Sequence, residues 1–142
     1  GLLSKWIIQI YTYSVYANAS HVYLVSQANV PKTYGRILVR RRKGLLNIHI
    51  GEVFGKRGLQ KVSLEWQDFN KKYDVYTSDS EKVTSFELLH PVFMETLEAL
   101  PFQVNIEVVD NVIYLYARAN TNPSYYPMML DLLQKAFQEM KL

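Results

Sequence analysis

F-Q-V-N-I-E-V-V-D-N-V-I-Y-L-Y-A-R, residues Phe102–Arg118, is the stretch that decides the fold class of this chain. Phe102, Val104, Ile106 and Val108 alternate with Gln103, Asn105 and Glu107. Period two is the spacing of a strand, because successive side chains leave a pleated backbone on opposite faces. Asp110-Asn111 follows, two residues that tolerate positive φ, and Val112–Ala117 returns as a second β-prone run. The stretch predicts a β-hairpin.

Helical patterns flank it. Pro91 suits the first turn of a helix, where its missing N–H costs nothing. Phe93, Leu97 and Leu100 then stand at i, i+4 and i+7 opposite Glu95 and Glu98, and Pro101 ends the run. After the hairpin, Tyr126–Lys141 reads as an amphipathic helix started by Pro127. Its apolar stripe is Met129, Leu133, Ala136, Phe137 and Met140, and Asp131–Lys135 is a favourable i,i+4 pair. Upstream, Ser78-Asp79-Ser80-Glu81 has the form of a capping box. It predicts a helix through Leu89, with Val83 and Phe86 on one stripe and Leu89 or His90 continuing it.

Further toward the N-terminus, Gln60–Trp66 reads as a strand, Phe69–Tyr73 as one helical turn and Asp74–Thr77 as extended chain. Trp6–Tyr16 and His21–Ser26 are β-prone, with Ala17-Asn18-Ala19-Ser20 as the turn between them. Asn29–Gly35 reads as a loop, and Arg36–Arg42 as a strand around Ile37, Leu38 and Val39. Leu45–Ile50 is ambiguous, and Gly51, Gly55 and Gly58 punctuate a basic loop. The predicted fold is α+β: a mostly antiparallel sheet covered on one face by about three helices, near residues 80–89, 91–100 and 126–141. The aromatic N-terminal strands are expected to supply much of the hydrophobic layer, with the 102–118 hairpin at the other end in sequence.

At 142 residues the chain is expected to form one domain. Apolar residues make up 49% and charged residues 20%, which excludes disorder as the default state. The absence of cysteine excludes disulfides, Cys-based zinc sites and thiol catalysis. No uninterrupted apolar run reaches the ~18 residues of a membrane span, and Gln9, Thr12, Tyr13, Ser14 and Asn18 make Leu2–Ala19 read as a buried strand rather than a signal-peptide core. A start at Gly1 rather than Met suggests an excised fragment. Charge divides sharply. Residues 1–64 hold ten Lys/Arg and one acid, whereas residues 65–142 hold six and twelve. The molecule is dipolar rather than uniformly basic.

No catalytic set emerges. His21, His49 and His90 lack metal-ligand spacing, and His90 before Pro91 reads as a helix-start residue. Asp68, Asp74, Asp79 and Glu81 do not meet the calcium-loop pattern, and caps and turns explain Asp79 and Glu81 better. No serine lies in a nucleophile elbow, and the glycines match neither dinucleotide nor phosphate loops. No cofactor is expected. Asn18-Ala19-Ser20 matches a glycosylation sequon, a pattern common by chance. The strongest binding signal is basic: Arg36, Arg40, Arg41, Arg42 and Lys43 concentrate charge suited to anionic lipid or, as the weaker choice, nucleic acid, with Tyr34 as a stacking face. The bland reading is a solvated strand end whose charges discourage edge pairing. It ranks first.

Residues Val62–Ala117 resemble the bacterial domain of unknown function 3137 family. The features that carry the likeness are L-E-W-Q-D-F-N-K-K-Y-D-V-Y-T-S-D (64–79), L-L-H-P-V-F-M-E-T-L (88–97) and D-N-V-I-Y-L-Y-A (110–117), with G-R-I-L-V-R-R (35–41) ahead of them. The resemblance implies no activity. It does imply a cytoplasmic domain tethered through membrane segments outside this chain. Three functions of different class follow: a non-enzymatic accessory or interaction module of a membrane-linked protein, an anionic-surface binder using Arg36 and Arg40–Lys43, or an enzyme with a site in the acidic half. Expected partners are an anionic membrane surface or another protein. Self-association through an aromatic edge in residues 6–26 is a further expectation.

Overall fold

Asp110 sits at φ 55°, in the left-handed region that a two-residue hairpin loop demands and that Asp tolerates better than branched residues do. It closes the hairpin expected over residues 102–118. The computed structural model of the chain describes residues 2–3, 6–17, 19–41, 58–79, 87–118 and 124–140. In chain order its elements are β1 (Leu2–Leu3), β2 (Trp6–Ala17), β3 (Ala19–Asn29), β4 (Arg36–Arg41), β5 (Gln60–Val62), α1 (Gln67–Lys72), β6 (Tyr73–Thr77), a 3-10 turn at Glu87–Leu89, α2 (Pro91–Glu98), β7 (Val104–Val109), β8 (Val112–Arg118) and α3 (Tyr125–Glu139). The fold class is α+β, as expected.

The described strands form one antiparallel sheet in the order β1-β2-β3-β8-β7-β4-β6-β5, with β1 only two residues long. The hairpin β7–β8 therefore lies at the centre of the sheet, and β2 lies near its edge. Of the N-terminal strands, expected to supply much of the hydrophobic layer, the described side chains Ile8, Ile10, Leu24 and Ala28 join the helix-side core, and Tyr11, Tyr13, Tyr23 and Val25 pack on the other face. To pass from β3 to β4 the chain must cross the loop end of the hairpin. There Val30 N–H donates to Asn111 O, Tyr34 N–H to Asp110 O, both at 2.9 Å, and Asp110 N–H donates to Gly35 O. Gly35 supplies φ 71° at the bend, a conformation that costs glycine little. The crossing is thus stitched to the turn by backbone bonds that satisfy both loops.

One face of the sheet carries the helices. Ile37, Val39, Val75, Val104, Ile106, Val108, Ile113 and Leu115 pack there against Phe69, Leu88, Phe93, Met94, Leu97 and the α3 stripe. Among the described side chains of β2, buried Ile8 and part-buried Ile10 belong to this core. All five residues of the expected α3 stripe are buried, and Leu132 joins them. The Asp131–Lys135 pair closes at 3.1 Å.

Several boundaries move. Helix α3 begins two residues before Pro127, which still lies in the first turn, where a missing N–H is harmless. The turn between β2 and β3 is tighter than four residues, since Ala17 pairs with Ala19. The strand expected at Gln60–Trp66 stops at Val62. Beyond it the Asn70 side chain replaces a neighbouring strand: Leu64 N–H donates to Asn70 Oδ1 at 3.0 Å, and Asn70 Nδ2 donates back to Leu64 O at 2.6 Å. The expected single helical turn is α1, held by Phe69 stacked between Trp66 and Tyr73, with centroids 5.2 and 5.1 Å away. Of the helix expected over 80–89, the described part is the Glu87–Leu89 turn, where Leu88 rather than Leu89 is fully buried. Val83, Phe86 and the segment Leu45–Ile50 lie outside the described residues, as do Ser80 and Glu81 of the capping box. Ser78 instead extends the β4–β6 ladder, its N–H donating to Arg36 O and its hydroxyl accepting Arg36 N–H, each at 3.0 Å.

Candidate functional site

Strand geometry divides the basic run. β4 is an interior strand, paired to β7 on one side and β6 on the other, so its charges do not guard an edge. Alternation sends Arg41 to the helix-covered face, where its guanidinium lies 5.9 Å from the Tyr73 ring centre. Arg36 and Arg40 point to the second face, and Arg40 lies 5.4 Å from the Tyr76 ring. Arg42 and Lys43 lie outside the described residues. Tyr34, expected as a stacking face, is 1% exposed and belongs to the helix-side core. The described arginines therefore do not form one continuous patch, because neighbours on a strand face opposite ways.

The second face holds the feature that the sequence concealed. Along β7 both sets of side chains are buried, Asn105 and Glu107 included. Asn105 is satisfied in part by accepting Arg41 N–H at 3.1 Å. Glu107 is different: it is 3% exposed, and its Oε2 is buried with no hydrogen-bond partner. Its lateral neighbours are Tyr114 on β8 and Leu38 on β4. Burial pushes the carboxyl up to about 7, against the pull of Arg36. Tyr114 is raised by burial and then by the Glu107 charge.

Around this acid the face is rich in tyrosine. Tyr23, Val25 and Tyr116 form a buried cluster, with Tyr11, Tyr13 and Tyr114 packed beside it. Tyr23 and Tyr116 meet edge to face at 6.1 Å. The Tyr11 hydroxyl donates to Gln27 Oε1, and burial, Tyr114 and Tyr13 together raise its pKa. The signal available in the sequence was the partner strand: Tyr114 and Tyr116 make β8 apolar on both faces, so β7 beside it is covered on both faces as well.

The remaining candidates have structural employment. His90 caps α2: its Nδ1 accepts Val92 N–H at 3.4 Å and lies 3.7 Å from a Glu139 oxygen. Asp74 pairs with Lys61 at 3.3 Å. The turn at Asp79 is made by the Thr77 hydroxyl, which accepts Asp79 N–H and donates to Asp79 O. Asp68 lies in the first turn of α1, where a negative charge complements the helix dipole. His21, His49 and Glu81 lie outside the residues whose side chains are described. Among the described residues no group of three His, Asp or Glu is placed to hold a metal ion.

The other exposed feature is the edge of the sheet at β2. Leu2 and Leu3 of β1 pair with Ile7 and Trp6, and from Gln9 onward the outward side of β2 carries no strand among the described residues. β8 reaches only as far as Tyr23, which faces Arg118. Beyond it the β2–β3 ribbon continues alone through four more β3 residues among the described ones, roughly 13 Å at ~3.4 Å per residue. Tyr16, 81% exposed, and Val22 stand on this overhang.

No curated protein and no solved structure matches the chain. A family profile matches residues 24–140, from within β3 to the end of α3, well beyond the 62–117 stretch that carried the resemblance. The chain belongs to the family described as protein of unknown function DUF3137.

Proposed function

We propose that this domain is a non-enzymatic interaction module that docks an extended segment against the free edge of β2. One observation carries the reading: among the described residues no strand pairs with the outward edge of Gln9–Ala17, a stretch with no charged residue, glycine or proline. Sheets that must stay alone blunt such edges with charge, proline or brevity. The opposite edge shows that treatment, since β5 has three residues and carries Lys61. Strand addition supplies affinity through backbone bonds and selectivity through alternate side chains. The membrane link is drawn from the family resemblance; no described helix is long and apolar enough to cross a bilayer. The test is photo-crosslinking in cells from a probe placed at Thr12, with Lys61 on the other edge as control. Crosslinks from position 12 alone are expected. None from position 12 would sink the proposal.

A second reading, anionic-surface binding, draws support from Arg36 and Arg40 sharing the second face. Lys61, opposite Tyr76 on that face, adds a third cation. Here Arg40→Ala is expected to weaken salt-sensitive binding to vesicles containing anionic lipid. Unchanged heparin elution after replacing Arg40–Arg42 with alanine removes this reading.

A further inference from the structure

The β2 edge is suited to a particular partner. The stretch with no outward pairing strand among the described residues, Q-I-Y-T-Y-S-V-Y-A from Gln9 to Ala17, is nine residues long, longer than most complete strands. Alternation divides it cleanly. Gln9, Tyr11 and Tyr13 lie on the tyrosine face, opposite Gln27, Val25 and Tyr23, while Ile10, Thr12 and Ser14 lie on the helix side. Tyr11 and Tyr13 are half-buried against the Tyr23–Val25–Tyr116 cluster, so each keeps apolar surface to cover. Thr12 and Ser14 are exposed and small, leaving room on the other side.

We infer that this edge pairs with the same edge of a second copy of the chain, antiparallel, so that the sheet runs continuously through a two-fold dimer. This rests on the reading of β2 as a docking strand and names its occupant. A strand that pairs antiparallel with itself makes an isologous contact, in which every interaction occurs twice. With the two-fold at Thr12, Thr12 faces Thr12 and Tyr11 faces Tyr13 of the second copy. Tyrosine-face residues then meet tyrosine-face residues, which extends the aromatic cluster across the junction. Like charges directly opposite each other destabilise a ladder. A charge on the two-fold would face its own copy, and one beside it would lie diagonal to its own copy; this stretch has none. The edge also lies before residue 24, outside the matched family region, so the inference concerns this chain's own sequence.

The experiment uses the intact chain. Sedimentation across the micromolar range is expected to show a reversible dimer. Thr12→Lys, at an exposed position, is expected to weaken it at least tenfold while leaving the circular dichroism unchanged, and the unfolding midpoint unchanged at concentrations where both chains are monomeric. The chain has no cysteine, so Thr12→Cys gives a single thiol that should oxidise to a covalent dimer, whereas Gln60→Cys on the opposite edge should not. A dimer indifferent to Thr12→Lys places the interface elsewhere and overturns the inference. A monomer at every concentration, whose position 12 crosslinks to a different protein in cells, overturns the second copy but leaves the docking edge standing. A monomer with no such crosslink overturns both.

Discussion

Glu107 and Tyr114 face each other across the β7–β8 ladder, a buried carboxyl opposite a phenol whose own ionisation that carboxyl opposes. Burial raises Glu107 from 4.5 to about 7. Below the ordinary value it is neutral in folded and unfolded chains alike, and folding buries no charge there. Between 4.5 and about 7 the unfolded chain releases the proton and the folded chain keeps it, so stability falls as pH rises. Above that window both forms are ionised and the loss is complete, on the order of 3 kcal/mol. Glu107→Gln keeps the shape without the charge. Urea unfolding at about pH 5 and about pH 8 is expected to show this loss in the native chain and a much flatter profile in the variant, which should be the more stable at the higher pH. Parallel profiles would show that Glu107 does not titrate in this window.

Asn70 is predicted to matter more than a half-buried polar residue usually does. Its amide both donates to and accepts from the Leu64 backbone, holding a segment that has left the sheet. Asn70→Ala removes both bonds and is expected to cost about 1–3 kcal/mol. Asn70→Asp keeps an acceptor for Leu64 N–H but loses the donor, so its destabilisation should be of the same order, with a carboxylate now facing Leu64 O. Denaturant midpoints of the two variants check this. An alanine variant as stable as the native chain would mean that Leu64 is held by packing alone.

Phe69 is 1% exposed and lies between Trp66 and Tyr73. Phe69→Ala is expected to cost about 3–5 kcal/mol, through lost burial plus the cavity left behind. Trp66 fluorescence should shift to longer wavelength even in the folded variant, because the indole loses its stacking neighbour. Denaturant titration followed by tryptophan emission in a Trp6→Phe background, where Trp66 is the one indole left, measures both effects.

At Asp110 the prediction concerns backbone conformation. Asp110→Gly relieves a positive φ and is expected to be neutral within about 0.5 kcal/mol or slightly stabilising. Asp110→Val, branched at Cβ, should destabilise by about 1–2 kcal/mol. Thermal melts of the pair provide the test, and equal melting points would argue that the loop adopts another conformation.

Elements whose signals are local could be read directly from the residues. The 102–118 hairpin was legible because alternation and Asp110-Asn111 act over adjacent residues, and the α2 and α3 stripes because apolar spacing on a helix needs no distant partner. The alternating arginines of β4 were visible too, although the sheet position that splits them was not. The strand order came only from the folded chain, and with it the central place of β7–β8 and the place of β2 beside the two-residue edge strand β1. Strand order depends on pairings between residues far apart in the chain, which no local pattern encodes. The same cause hid Glu107. A single strand with alternating polarity reads as half-exposed, and only the tyrosines of β8 and Leu38 of β4, brought beside it by the sheet, turn its polar side into an interior. The free edge of β2 is likewise a property of the assembled sheet: its uncharged composition was written in the sequence, but an edge exists only once the other strands have taken their places.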